Sequence, residues 1–132
     1  MYTLLLIVFS LIFEPPFLAV EITGIKEVKG SVMIAIYDSK EQFLSTEVVN
    51  TKILKVAGSS VRGKIELPFG VYGISVFHDV NSDGELNTKI FGIPKEPVGF
   101  SNNAKGSFGP PSYEDVSFTF AKDQQLISIE LF

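Results

Sequence analysis

This sequence has no cysteine and a single histidine, His78. Without thiols there is no disulfide, no thiolate metal centre and no cysteine nucleophile. One imidazole excludes the multi-histidine sites that zinc and iron favour, so any metal here is a hard cation held by oxygen. Positive charge is also scarce, with 11 Lys and Arg against 15 Asp and Glu and a formal charge of −4. That balance argues against a nucleic-acid partner, whose phosphates require clustered cations. Missing as well are Asn-x-Ser/Thr sequons, a phosphate-binding glycine loop, a nucleophile elbow and internal repeats. No stretch keeps a helical period for three turns.

The apolar run from Leu4 to Phe13, broken only by Ser10, falls short of the ~20 residues that a spanning helix needs. Its length fits the hydrophobic region of a secretory signal, with Ala19 as the last residue before cleavage. The expectation is a signal peptide over residues 1–19, a single domain over 20–132, a secreted or periplasmic location and no stable membrane span after cleavage. Two features run against it: no Lys or Arg precedes the run, and Phe17 stands where a small residue is preferred. The alternative is an apolar first strand or a retained anchor.

What the chain does contain is strand-forming sequence, with 45% apolar residues and twelve Phe. Val20-Glu21-Ile22-Thr23 alternates before Gly24. Ser31 to Tyr37 is apolar on both faces and reads as a central strand. Asp38 to Leu44 reads as one helical turn capped by Asp38 or Ser39, with Phe43-Leu44 pinning it. Val48-Val49 and Lys52 to Val56 read as extended, and Ala57 to Ser60 as a turn. In Val61 to Leu67 the residues Val61, Ile65 and Leu67 face inward, and Arg62, Lys64 and Glu66 face water. After the turn Pro68-Phe69-Gly70, the strand from Val71 puts Tyr72, Ile74, Val76 and His78 on one face. Asp115 to Ala121 and Leu126 to Phe132 complete the set. The pattern predicts an all-β fold, an antiparallel β-sandwich of about seven strands, with a small barrel as the alternative.

Between Asp79 and Glu114 lie five glycines and four prolines, yet also Leu86, Ile90, Phe91, Ile93, Phe100, Phe108 and Tyr113. Those apolar residues need burial, so this reads as one long ordered loop folded back over the sandwich. It opens with Asp79-x-Asn81-x-Asp83-Gly84-x-Leu86, the first half of an oxygen-ligand calcium loop. Asp79, Asn81 and Asp83 supply side-chain oxygens and Glu85 its carbonyl. The twelfth position, where a helical calcium hand carries a bidentate Glu, is Ile90, which excludes that hand. The remaining ligands must come from elsewhere, and Glu114, Asp115, Glu96 and Asn87 are the candidates, in that order. The plainer reading is a polar turn.

His78 beside Asp79 offers an acid–base pair, but neighbours on a strand point to opposite faces, which leaves a hydrolase as a distant alternative. Asn102, Asn103, Phe108 and Tyr113 could present amides and rings to a sugar or peptide. The competing reading is that Phe100, Phe108 and Tyr113 pin the loop to the sandwich.

The blocks Phe77 to Leu86, Phe91 to Glu96, Gly99 to Ala104 and Phe108 to Asp115, in that order, resemble the bacterial family called domain of unknown function 2141. The resemblance covers Val20 to Phe132. It implies an exported protein with a transthyretin-like or immunoglobulin-like β-sandwich and no established activity. Asn87 stands where the family often has an acid, which weakens a calcium site there. Residues and resemblance together lead to a non-catalytic exported binding or envelope-structural module with a calcium-pinned loop. A carbohydrate- or peptide-binding domain using the loop aromatics is the alternative.

Overall fold

The computed structural model describes residues 14–81 and 96–132. Eight strands lie among them: β1 (Phe17–Thr23), β2 (Ser31–Tyr37), β3 (Asn50–Lys55), β4 (Val61–Glu66), β5 (Gly70–Asp79), β6 (Val98–Phe100), β7 (Phe118–Phe120) and β8 (Leu126–Glu130). They form two sheets. One runs β4-β1-β8, and the other β3-β2-β5-β6 with β7 also paired to β5. The all-β sandwich expected from alternation is present. The core lies between the sheets, where Leu18, Val20 and Ile22 of β1 meet Val32, Ile34, Ile36, Ile74 and Val76. Each such side chain removed from water contributes roughly 1.5–3 kcal/mol.

Strand alternation places the residues as the pattern requires. On β4, Ile65 and the following Leu67 are buried while Arg62, Lys64 and Glu66 are exposed. On β5, Tyr72, Ile74, Val76 and His78 are all buried on the inner face. The turn after β2 forms, with Ser39 Oγ accepting the Gln42 N–H at 3.3 Å and the Ser39 carbonyl accepting the Phe43 N–H at 3.1 Å, but of the expected Phe43-Leu44 pin only Phe43 serves, since Leu44 is exposed at φ 61°. Phe43 then packs on Tyr37, Phe100 and Tyr113 at centroid separations of 5.4, 6.4 and 5.9 Å. These rings cover the outer face of β2 and β5.

Four expectations change. The sandwich is not wholly antiparallel, because β1 pairs in parallel with β8, Ala19 opposite Leu126 and Thr23 opposite Glu130. The first strand begins at Phe17 instead of Val20, with Phe17, Leu18 and Ala19 facing Glu66, Ile65 and Lys64. The stretch from Asp79 to Glu114 is not loop throughout, since β6 lies in it and pairs with β5. Asp115 to Ala121 is not one strand: Tyr113–Val116 forms a short helix, α1, capped by Ser112, and only Phe118–Phe120 is extended. The apolar segment Leu4 to Phe13 lies outside the described residues.

Among the described residues, backbone hydrogen bonds join the two sheets on one side. The Phe132 N–H donates to the Val98 carbonyl at 2.8 Å and the Val98 N–H donates back at 3.2 Å, stitching the chain beyond β8 to β6. On the other side β3 and β4 each end their sheet.

Candidate functional site

Asp79 closes β5 at a position fixed from both flanks. On one side it faces Ser31 across the β2 ladder. Gly30, just before, runs so close beneath it that a Cβ there would lie 2.1 Å from the Asp79 carbonyl oxygen. His78 is fully buried, and its Nε2 donates to the Lys29 carbonyl at 2.6 Å. A carbonyl only accepts, so this contact assigns the proton to Nε2. The ring therefore holds the entry to β2 against the end of β5, on the face opposite Asp79. Nε2 thus serves as a structural donor that caps the end of the core strand.

On the other flank, β6 continues the ladder backward. The His78 N–H donates to the Pro97 carbonyl at 2.9 Å, and the Val80 N–H donates to Glu96 Oε2 at 2.7 Å. The register that pairs Phe77 with Val98 sets Glu96 opposite Asp79. Both carboxylates are buried, at 4% and 8% exposure. Two carboxyl groups and the neighbouring exposed Asn81 thus gather at one end of the sandwich, where the acidic loop begins.

The other proposed ligands part company with them. Glu114 and Asp115 sit on α1, whose Val116 carbonyl is tied through Ser101 Oγ to the Ile74 N–H. Ile74 is five residues before Asp79, about 16 Å along the strand at ~3.3 Å per residue. Glu114 pairs instead with Lys40 at 3.4 Å. Its own backbone N–H and then Lys40 hold its carboxyl below the ordinary value. Glu96, third among the four candidates, is the one the structure brings to Asp79. Asp83, Glu85 and Asn87 lie outside the described residues. Among the described residues no group of three or more His, Asp or Glu side chains assembles to hold a metal.

The loop following β6 is built from its base upward. Asn102 and Asn103 adopt φ of 61° and 51°, the left-handed region that asparagine tolerates. Asn102 Nδ2 donates to the Asp115 and Ser117 carbonyls at 3.1 and 2.8 Å. Asn103 Oδ1 accepts the Glu130 N–H at 2.9 Å. Both amides are engaged in holding the loop to α1 and β8. Tyr113 is half-buried against Phe43, and burial, with Asp38 adding its charge, pushes its hydroxyl above the ordinary range. Phe100 and Tyr113 thus pin the loop, but Phe108 does not.

Phe108 is fully exposed at the loop's apex. The apex is tight: a Cβ on Gly106 would lie 1.7 Å from the Gly109 carbonyl oxygen, so only glycine lets the two strands of the loop approach. Pro111 is buried at its return. The domain therefore leaves this ring wholly in water.

A model of the family described as uncharacterised proteins conserved in bacteria, DUF2141, matches residues 20–128. The chain belongs to this family. The match runs from β1 into β8 and so takes in Asp79, Glu96 and Phe108 on one domain. No curated protein and no solved structure matches the chain. No helix among the described residues is long and apolar enough to cross a membrane.

Proposed function

We propose that this DUF2141 protein is a non-catalytic, exported binding module that meets its partner with the Phe108 loop. The carrying observation is a fully exposed aromatic ring on a loop whose base is braced by Asn102, Asn103 and Pro111. Bracing limits the entropy lost when a partner covers the ring, which is how a small contact gains affinity. A sugar face or an apolar peptide side chain is the chemistry such a ring takes. Of the four residues expected to bind, Phe108 is the contact; Asn102, Asn103 and Tyr113 position it. Export rests on the apolar Leu4 to Phe13 segment.

The test is a glycan and peptide array probed with the wild-type protein and with Phe108→Ala. Specific binding falls by roughly tenfold or more in the variant, the loss expected of a hot-spot aromatic, while its melting temperature is unchanged. Equal binding by both proteins removes the reading.

A second reading concerns the Asp79 end. Asp79 and Glu96 are both buried there, and carboxylate oxygens are the ligands a hard divalent cation takes. Their oxygens, with Asn81 and Asp83, suit calcium, which seeks six to eight oxygen ligands. We infer that calcium orders the start of the 79–97 segment. After chelation, a hundredfold excess of calcium over Kd adds about 2.7 kcal/mol and about 10 °C in melting temperature. Glu96→Gln keeps an oxygen for the Val80 N–H but loses charge, and it is expected to lose most of that increment; Glu114→Gln keeps it. No calcium-dependent rise, or equal loss in both variants, ends the idea.

A further inference from the structure

The side of the sandwich opposite the Val98–Phe132 stitch carries a second binding feature. Beside the turn that joins β3 to β4, Leu54 packs directly over Gly63 and closes the seam. Away from that turn the two edge strands part around a groove of about 370 Å³ lined by Phe17, Asn50, Thr51, Lys52, Lys64 and Glu66. One edge of the groove is β3, which pairs with β2 on one side and with no strand among the described residues on the other. β3 is six residues long, has no proline, and exposes Ile53 at 61%. Such an edge offers alternate N–H and C=O groups to an incoming strand.

Charge decides which strand can use it. The chain carries a net −4, yet β3 contributes Lys52 and Lys55, and the facing edge contributes Lys64. None of the three forms a salt bridge among the described residues. Lys64 Nζ sits 4.7 Å over the Phe17 ring, which holds it at the rim. Lysines on an edge deter indiscriminate strand pairing. In particular they disfavour a second copy of this chain, because an antiparallel β3–β3 ladder would crowd four lysines together. A strand with carboxylates meets the opposite condition.

We propose that the β3–β4 seam binds an acidic peptide in extended form, added to the β3 edge, with its carboxylates on Lys52 and Lys64. Main-chain hydrogen bonds supply affinity, and the lysines select the sequence. Glu66, which also lines the groove, repels an acidic side chain placed beside it and so favours carboxylates at the lysines. This site lies apart from the Phe108 loop and does not depend on it.

The experiment uses the full chain and fluorescein-labelled capped peptides read by anisotropy: Glu-Val-Glu-Val-Glu-Val, its Lys-Val counterpart, and the acidic peptide N-methylated at alternate amides. The acidic peptide is expected to bind at least about tenfold tighter than the basic one. Lys52→Glu/Lys64→Glu, changed at the groove surface, reverses that preference. N-methylation lowers binding by about tenfold or more, because it deletes the ladder. Phe108→Ala leaves binding unchanged, which separates this site from the loop. The proposal is overturned if the acidic peptide shows no preference over the basic one. It is equally overturned if the N-methylated peptide binds as well as its parent, or if free citrate at equal charge displaces the peptide completely, since either result marks a general anion surface.

Discussion

Replacing Gly30 by alanine is expected to leave little folded protein. Gly30 sits at φ +67°, a left-handed conformation that costs an L-residue roughly 1–2 kcal/mol. The larger penalty is steric. The new Cβ would meet the Asp79 carbonyl oxygen at 2.1 Å and that of Val80 at 2.9 Å, and both are backbone atoms. Neither can rotate away as a side chain can. Relief requires pulling β2 from the end of β5, where Ser31 pairs with Asp79 and His78 holds the Lys29 carbonyl. A loss of about 4 kcal/mol or more is a large share of a domain's usual 5–15 kcal/mol, and corresponds to a fall of about 15 °C in melting temperature. Gly109→Ala, where a Cβ would touch nothing, is the matched control and is expected to melt within a few degrees of wild type. Thermal unfolding followed by circular dichroism compares the pair, and similar melting temperatures would show that the strand end yields more easily than its geometry indicates.

The second large effect concerns where the folded chain begins. A protein starting at Val20, the product of cleavage after Ala19, loses Phe17, Leu18 and Ala19 from β1 and their pairing with Glu66, Ile65 and Lys64. Leu18 is fully buried in the core. Removing a buried leucine side chain costs 2–5 kcal/mol, and the lost ladder adds to it. Two further ties go with it: the Asp123 carboxylate accepts the Phe17 N–H at 3.0 Å, and the Phe17 carbonyl accepts the Gln124 N–H at 2.9 Å. The Val20 form is expected to melt about 10 °C or more below a form starting at Glu14. Equal melting would mean that β1 does not need its first turn of pairing. A form cleaved before Phe17 would keep this pairing, and mass spectrometry of the mature terminus tests whether any cleavage falls there.

Much of the fold was legible because inward and outward residues alternate wherever a strand has one wet face. Val61 to Leu67 shows this best. β6 was not legible, since Val98-Gly99-Phe100 is three residues long and follows a proline, leaving no period to detect. α1 left a faint signal, Ser112 followed by Glu114 and Asp115, the pairing of a cap with first-turn acids. Four residues are too few to outweigh Phe118 and Phe120 beyond them. The parallel partnership of β1 with β8 is written in no local pattern, because alternation fixes a strand's faces and not its neighbours. At the site, Asp79 and Asn81 were readable as oxygen donors. That Glu96 and not Glu114 returns to Asp79 depends on the β5–β6 register, which the sequence states only through a strand too short to see. Phe108 looked like an anchor of the same kind as Phe100. The difference lies in Gly106, whose missing Cβ lets the chain turn back against the Gly109 carbonyl before the ring can reach the core.

The parallel pairing of β1 with β8 also has a kinetic side. β1 is the middle strand of the smaller sheet, yet one of its two partners comes from residues 126–130, more than a hundred positions later. Contacts so distant in sequence slow folding, since the chain must close its longest loop before those contacts repay the lost entropy. The smaller sheet is therefore complete only when residues 126–130 are present. Until then β1 has β4 as its one sheet partner among the described residues, and its other edge stays open.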